Sequence, residues 1–434
     1  MLSLALYALG SGLIGAWLLV RWLSLPPVEQ PAFMVLVGSR TAPTRRAPDG
    51  GAGDGFYVFR SDPKSGELCP VAQLPVTAPN LASMCAIRES PRSGRGGYSV
   101  HVACEADEAG GGVASVNFNP QRSPCIEEAG GVELCPCHVS SLGGDAKSAR
   151  FVACSQSGLV TVLAPTFEKP RWRYPSTWRA PPTGALHAEF AFSVGGAKEG
   201  VRSASMALPV LAPAVPGKQA ASFIAVADPV GEALLVCQLV DGGRVVGKLQ
   251  LRAGSQPSAL AVHPNGRLVY LLCEGEASLL VVQVSDSAPP KQLHRLSLRR
   301  EGRAGPSAAA YQQSAPTERP SIIVSRDGAF VYAVACAFDG IAVVGIKDEG
   351  KKIALLSHVP IHAAETADEA TKALDVACSL ALVGDAEDLL LIACPIAHRV
   401  LSYRRDLATG QLQAADAAVC PSPLTLLGLP WPPT

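Results

Sequence analysis

A pair of short apolar segments recurs seven times between residue 33 and the C-terminal end of the sequence. In each copy the first segment ends in a small residue, a few turn residues follow, and a second apolar segment comes next, as in Phe223–Ala227 with Ala233–Cys237. The seven small residues are Gly38, Cys104, Cys154, Ala227, Cys273, Ala335 and Cys394. Strand repeats at intervals of about 40–50 residues are typical of β-propeller blades. The repeat therefore predicts an all-β fold, a seven-bladed β-propeller that spans residues 33–431.

The intervals between the small residues support this interpretation. Ala227 and Cys273 are 46 residues apart, which suits a bare blade, whereas Cys154 and Ala227 are 73 apart, which we attribute to a Pro-rich loop insertion. Because blades are wedges that crowd toward the axis, the small residues are expected nearest the channel. A parallel α/β sheet would need amphipathic helices between the strands, and the intervals contain Gly and Pro instead. The terminal run 424–429 is expected to close the ring beside Phe33–Gly38.

Composition excludes several classes of protein. Lys plus Arg and Asp plus Glu both total 37, so the formal net charge is zero and no basic stripe indicates a nucleic-acid partner. The 13 cysteines lie mostly within apolar runs, which is typical of small buried hydrophobes. Cys135-Pro-Cys137-His138 lacks a second ligand pair at zinc-site spacing. We therefore expect no metal centre and, without a phosphate-binding glycine loop, no cofactor.

The first 26 residues are expected to form a separate hydrophobic helix. Leu2 to Val20 contains no charged residue and Arg21 follows, so the segment 2–23 is long enough to cross a bilayer. Positive charge after the segment favours a membrane-anchored protein with the propeller on the cytosolic side. A targeting segment or a cytoplasmic protein with an N-terminal extension is the alternative. In either case a chain without residues 1–26 should fold, as a monomer.

Three segments resemble the lactonase propellers, the family that includes 6-phosphogluconolactonase and carboxy-muconate lactonizing enzymes. Asp62-Pro-Lys-Ser-Gly66-Glu-Leu68 and Asp406-Leu-Ala-Thr-Gly410-Gln-Leu412 resemble the family's D-x-x-T/S-G-x-L hairpin. Ala261-Val-His263-Pro-Asn-Gly266-Arg-Leu-Val-Tyr270 resembles its F-H-P-N-G-R-F-x-Y turn, in which we expect His263 to cap its own turn. Each motif is short, and their order over seven blades carries the resemblance.

The resemblance implies a site at the mouth of the central channel. His187 is similar to the family's catalytic His, and Glu274 to its catalytic Glu. Two arginines that the resemblance implies are replaced, since their positions fall on Ser258 and near Ala373. The remaining residues that we assign to substrate binding are His138, Glu105, Asp228 and Arg303.

Two functions follow from these residues. The first is a lactonase-like hydrolase that opens a sugar-acid lactone, such as 6-phosphogluconolactone, in the central channel. The second is a catalytically degenerate propeller that binds a protein or a small ligand. The replaced arginines favour the second function, and the presence of His187 and Glu274 favours the first.

Overall fold

The structure is a computed structural model, and its strands form seven sheets of four antiparallel strands. It describes residues 32–42, 53–62, 64–75, 80–88, 97–105, 112–118, 125–127, 136–143, 149–155, 157–165, 186–194, 204–211, 221–299, 320–335, 338–361 and 377–431. Seven four-stranded sheets are the blades of a seven-bladed β-propeller, so the predicted all-β ring is confirmed.

The blades follow one another along the chain, and only the first borrows a strand from elsewhere. Blade one contains β1 (Ala32–Ser39), β2 (Gly55–Ser61) and β3 (Leu68–Pro75). Blade two contains β4 (Leu81–Arg88), β5 (Tyr98–Cys104), β6 (Gly112–Phe118) and β7 (Cys125–Glu127). Blade three contains β8 (Pro136–Gly143), β9 (Arg150–Ser155), β10 (Leu159–Pro165) and β11 (Leu186–Ser193). Blades four and five contain β12 (Met206–Val210), β13 (Phe223–Asp228), β14 (Ala233–Gln238), β15 (Arg244–Gln250); and β16 (Pro257–Val262), β17 (Leu268–Cys273), β18 (Ser278–Gln283), β19 (Lys291–Ser297). Blades six and seven contain β20 (Ser321–Val324), β21 (Phe330–Ala335), β22 (Phe338–Lys347), β23 (Lys352–Val359); and β24 (Ser379–Val383), β25 (Leu389–Cys394), β26 (Arg399–Arg405), β27 (Leu412–Val419). Short 3-10 turns at Val240–Gly242 and Asp348–Gly350 join strands within blades four and six.

The ring is closed by the last strand of the chain. The strand β28 (Pro423–Trp431) pairs with β1 in the antiparallel sheet β28-β1-β2-β3, with Val35 opposite Gly428. The first and last strands of the ring are thereby joined in one blade, and no sheet edge is left between them. This confirms the expectation that the terminal run pairs beside Phe33–Gly38.

One strand of each sheet lines the central channel. These channel strands are β28, β4, β8, β12, β16, β20 and β24, and each contacts the next around the ring. The faces of neighbouring blades pack against each other through fully buried side chains, as where Leu234 and Val236 of blade four meet Leu260 and Leu271 of blade five. Each such side chain contributes roughly 1.5–3 kcal/mol by its burial. The hydrophobic core is therefore divided among the contacts between blades.

The small residues of the repeat do not lie on the channel strands. Cys273 and Cys394 end the second strand of their sheets, Cys154 is the next-to-last residue of its second strand, and all three are fully buried. Each packs in a cluster between two blades, as Cys273 does with Ala227 at the contact of blades four and five. The expectation that they lie nearest the axis is therefore corrected, because the repeat identifies a strand pair without fixing its distance from the channel. The narrow space that selects small residues is the contact between two wedges.

The long interval before Ala227 contains β11, the fourth strand of blade three, and β12, the channel strand of blade four. Residues 166–185, 195–203 and 212–220 of this interval lie outside the described residues, so the expected loop insertion stays a prediction.

Serine hydroxyls fasten successive channel strands to each other. The Ser140 hydroxyl of β8 donates to the carbonyl of Ala207 on β12 at 2.8 Å. In blades six and seven, the hydroxyls of Ser321 and Ser379 each accept the backbone N–H of the next channel strand, at 3.2 Å in both cases. A channel strand has one edge without a partner strand, and unsatisfied backbone groups on such an edge are costly when buried. The serine hydroxyls form hydrogen bonds with some of the backbone groups on that edge, and they hold neighbouring blades in register.

The expected N-terminal helix at residues 2–23 lies outside the described residues. In the part of the chain that the structure describes, no helix has the length and apolar character needed to span a membrane.

Candidate functional site

The strand directions bring several of the predicted site residues to one end of the ring. Each channel strand begins at the end of the ring where the second strand of its sheet finishes, because the two strands are antiparallel. We call this the entry end. Glu105, Asp228 and Glu274 lie there, at or directly after the ends of second strands, and His138 is the third residue of the channel strand β8.

Glu274 occupies a buried turn at the entry end. Its side chain is only 8% exposed, and the turn Glu274–Ala277 links β17 to β18. The backbone N–H of Glu274 donates to the carbonyl of Gln256 at 3.1 Å, and its carbonyl accepts the N–H of Ala277 at 3.0 Å. A carboxylate taken from water in this way can accept a proton or hold a hydroxyl group of a ligand. The structure places Glu274 at the entry end, directly after the second strand β17, and its assignment to the mouth of the channel stays a prediction.

Asp228 holds its own turn. The carboxylate of Asp228 is 4% exposed, and its Oδ1 atom accepts the backbone N–H of Gly231 at 2.7 Å. A short hydrogen bond from N–H to a carboxylate stabilises the turn between β13 and β14. This contact gives Asp228 a structural task at the position where we expected substrate binding.

Glu105 is held at the contact between blades one and two. It is half-buried, and its backbone N–H donates to the carbonyl of Asn80 at 2.9 Å. The Asn80 side chain in turn donates to the carbonyl of Glu105 at 3.3 Å and accepts the N–H groups of Thr41 and Ala42. The backbone at the entry end of these two blades is therefore fixed by a single buried amide side chain.

His138 lies on a channel strand beside a β-bulge. The side chain is half-buried, and the preceding residue, Cys137, is the extra residue of a register shift between β8 and β9. The Cys137 thiol donates to the carbonyl of Ala204, at the start of blade four, at 3.1 Å. Bulges redirect side chains and are common beside functional sites. The expectation that His138 belongs to the channel wall agrees with this strand position.

Ser258 lies in an equivalent bulge of the channel strand β16, where the pairing skips from Pro257 to Ala259. Its side chain is half-buried, and the hydroxyl donates to the carbonyl of Leu272 at 3.4 Å. The resemblance implies an arginine at this position. A short hydroxyl therefore stands at the channel entrance where a guanidinium was expected.

His187 takes a different place from the one expected. It lies in β11, the outermost strand of blade three, and pairs with Ala164 near the end of β10. Because strand directions alternate across the blade, the start of β11 is at the end of the ring opposite to the entry end. His187 and Glu274 are thus separated in blade, in strand and in height, and the strand order does not support the pair as one catalytic unit. Two of the remaining expected positions, Arg303 and Ala373, lie outside the described residues.

Arg40 is a residue at the entry end that the sequence analysis missed. It directly follows β1, its side chain is 8% exposed, and its backbone N–H donates to the carbonyl of Ser422 at 2.9 Å. Arg40 is one of the positive charges that follow the N-terminal segment, and only its charge entered the sequence-based prediction. Its register could have identified it, since it comes directly after the second strand of blade one, as Glu105 and Glu274 do in blades two and five.

The motifs that carried the resemblance form structural turns. The His263 Nδ1 atom accepts the N–H of Asn265 at 3.2 Å, so His263 caps its own turn as predicted. Asp406 accepts the N–H groups of Ala408 and Thr409, and these hydrogen bonds, first that from Thr409, lower the pKa of Asp406. Partial burial would raise the pKa of Asp62, but hydrogen bonds from Lys64 and Ser65 lower it overall.

The cysteines at the ends of second strands are poor nucleophiles. Burial raises the pKa of the Cys273 thiol to about 12, although the nearby Arg295 guanidinium opposes the change. The thiolate is the reactive form of cysteine, so a thiol with so high a pKa is inert at neutral pH. In the described parts of the chain, no three His, Cys, Asp or Glu side chains come together as metal ligands.

Comparisons with known proteins agree with the ring. The family model described as Lactonase, 7-bladed beta-propeller, matches residues 222–427. The structure is similar to the candidate 6-phosphogluconolactonase of Bacteroides uniformis, with a TM-score of 0.65 and 17% identity over 92% of this chain and 100% of the other. It is also similar to the periplasmic gluconolactonase of Pseudomonas aeruginosa, with a TM-score of 0.64 and 14% identity over 92% of this chain and 99% of the other.

No curated protein matches the sequence at a significant level. At such low identity the solved structures establish the shared fold, and the family model adds the sequence match over blades four to seven. The chain therefore has the seven-bladed fold of the lactonase propellers, and its residues 222–427 match the sequence model of that family.

Proposed function

We propose that this propeller hydrolyses a sugar-acid lactone at the entry end of its channel. The observation that carries the proposal is the buried carboxylate of Glu274 at the same end of the ring as the half-buried His138 of a channel strand. Buried ionisable side chains at the mouth of a channel are typical of active sites. The gluconolactonase and the candidate 6-phosphogluconolactonase with the same fold support a lactone as the substrate class.

Lactone hydrolysis needs a base and an acid. A water molecule attacks the lactone carbonyl carbon as the base removes its proton, and the bond between that carbon and the ring oxygen then breaks. The ring oxygen takes a proton from the acid as it leaves and becomes a hydroxyl of the same molecule. The new carboxylic acid loses its proton to solvent, so the single product is an open-chain hydroxy-carboxylate. We assign the base to Glu274 and the proton donor to His138. We assign Arg40, and Arg303, which lies outside the described residues, to the acidic group of the substrate.

The experiment compares two histidines. Purified wild-type protein is assayed with 6-phosphogluconolactone and with gluconolactone, and His138→Gln is compared with His187→Ala as the matched control. We expect His138→Gln to lower kcat by about 10²–10⁴-fold, the usual contribution of a general acid or base. His187→Ala should change it little, because His187 lies on the outermost strand at the opposite end.

Two results would overturn the assignment. If the wild-type protein hydrolyses neither lactone faster than buffer does, the proposed activity is wrong. If His187→Ala abolishes hydrolysis and His138→Gln does not, the family-derived assignment of His187 is correct in place of ours.

A second function is favoured by Ser258 and Asp228. The hydroxyl at 258 replaces an expected guanidinium, and the Asp228 carboxylate is engaged in a turn. Both features suit a propeller that binds a ligand without turning it over. Calorimetric binding of gluconolactone, with no hydrolysis over the same period, would support this function over the first.

A further inference from the structure

We propose that Glu276 and Arg295 are positioning residues that hold the Glu274 turn against the start of the channel strand β16. This inference rests on the proposed function, since it concerns the residue assigned as the base. It is drawn from a network of hydrogen bonds around this turn. The network joins three strands of blade five to the loop that precedes β16.

The backbone of the turn is attached to the loop that leads into β16. Besides the bond from Glu274 to Gln256, the N–H of Gly275 donates to the carbonyl of Ser255 at 3.2 Å. A Cβ atom on Gly275 would lie 1.9 Å from the carbonyl oxygen of Gly254, so the turn and the loop are in close backbone contact. The same loop continues into Pro257 and the β-bulge at Ser258. Its conformation therefore affects the position of both the Glu274 turn and the start of the channel strand β16.

The carboxylate of Glu276 is the centre of the network. Its Oε1 atom accepts the hydroxyl of Ser255 at 3.3 Å, and its Oε2 atom accepts the hydroxyl of Ser278 at 3.3 Å. Oε2 also accepts the Nη1 donor of Arg295, which belongs to the outermost strand β19. Glu276 thus ties the loop before β16 to the start of β18 and to the rim of the blade.

A second carboxylate holds the loop from the neighbouring blade. Oε1 of Glu232, in the turn of blade four, accepts the N–H of Gly254 at 2.5 Å. The loop is therefore held from both blades, and Ser255 within it is fully buried. Holding an active-site turn by charged partners on rigid strands is how a protein keeps a reacting group within a fraction of an ångström of its productive position.

The ion pair is partly buried, since the side chains of Arg295 and Glu276 are 20% and 25% exposed. Its loss is therefore expected to lower the free energy of unfolding as well as to loosen the turn. Exchange of the turn amides, compared with the denaturant midpoint of the same variant, separates the positioning role from a general loss of stability.

The experiment uses Glu276→Gln, Arg295→Gln and Arg295→Lys in the full chain. The matched control is Glu189→Gln, which removes another pair between strands, that of Glu189 and Arg150 at 3.0 Å in blade three. We expect Glu276→Gln and Arg295→Gln to lower kcat about tenfold to a hundredfold, with KM within about threefold of wild type. Arg295→Lys, which keeps the charge, should restore part of kcat, and Glu189→Gln should match wild type.

Amide hydrogen exchange gives a readout that does not depend on activity. The N–H groups of Glu274 and Gly275 should exchange at least about tenfold faster in Glu276→Gln than in wild type, and at the wild-type rate in Glu189→Gln. Unchanged exchange and unchanged kcat in folded Glu276→Gln and Arg295→Gln would overturn the positioning role. If the wild-type protein has no lactonase activity, the proposed function fails, and the exchange rates alone still decide whether this pair holds the turn.

Discussion

The turns after the second strands of blades four and five begin alike and are closed differently. Each starts with a buried carboxylate at the entry end, Asp228 in one and Glu274 in the other. In blade four the first residue closes the turn itself, through the N–H of Gly231. In blade five the backbone closes the turn, through the N–H of Ala277 and the carbonyl of Glu274, and Glu276 with Arg295 attaches the turn to its neighbours. The comparison teaches that one position of a repeat can be structural in one blade and suited to chemistry in the next.

The largest effect that tests this contrast is on catalysis. Glu274→Gln should lower lactone turnover by about 10²–10⁴-fold, because an amide cannot take the proton of the attacking water. Asp228→Asn is the control, and it should leave kcat within about threefold of wild type, since its carboxylate serves the turn. Steady-state kinetics on both variants decide the matter, and equal losses would remove the distinction between the two turns.

The next effect concerns the backbone of the two turns. Gly275→Ala should lower the free energy of unfolding by about 1–3 kcal/mol, because the new Cβ would overlap the carbonyl oxygen of Gly254, a backbone atom. Gly231→Ala is the matched comparison, in which the Cβ would meet the carboxylate of Asp228. That side chain can turn away at the cost of its bond to the N–H of Gly231, about 1 kcal/mol, so we expect a smaller loss. Denaturant unfolding measures both. A Gly231→Ala variant as unstable as Gly275→Ala would show that the blade-four turn is held just as tightly.

A change at Ser258 sharpens the comparison from the ligand side. Ser258→Arg should strengthen binding of 6-phosphogluconolactone about tenfold to a hundredfold, as expected of a new charge-assisted hydrogen bond at the entrance. Affinity for unphosphorylated gluconolactone should change little, and Ser258→Gln controls for side-chain length. Calorimetry with both lactones gives the ratio. If arginine strengthens binding of neither lactone, the bulge of β16 does not face the ligand.

The smallest effect is on the stability of blade four. Asp228→Asn should lower the free energy of unfolding by about 1 kcal/mol, because the amide oxygen can still accept the N–H of Gly231 but without charge. The midpoint of urea unfolding reports the change. A variant as stable as wild type would mean that the 2.7 Å contact does not hold the turn.

Much of the fold was predictable because strand pairs are local in sequence. The seven pairs and the capped turn at His263 depend on residues a few positions apart, or on one recurring pattern. The closing run near Leu426 was expected because a ring needs a partner for its first strand. The distance of a strand from the channel axis depends on which strands it pairs with, and the residues of the strand itself do not determine that pairing. For that reason Cys273 was expected nearest the axis and lies on a second strand.

The site was less predictable for the same physical reason. A short segment around His187 resembles a family motif, but a role at the entry end depends on the position and direction of its strand. The strand β11 is the outermost strand of its blade, and it begins at the opposite end of the ring. Arg40 was not predicted as a site residue, because it was considered only as part of the positive charge after the N-terminal segment. The Glu276–Arg295 pair joins a turn to an outer strand, and a distance of 19 residues along the chain gives no sign of that contact.

The closing strand also determines when the ring can be completed during synthesis. The strand β28 is the channel strand of the blade that begins the ring, so β1 has an unpaired edge until residues 423–431 have left the ribosome. At about 5–20 residues per second, that wait lasts on the order of 20–80 seconds, and an exposed edge invites pairing with other chains throughout. A chain cut short before Pro423 would keep this edge permanently and would be expected to aggregate through it.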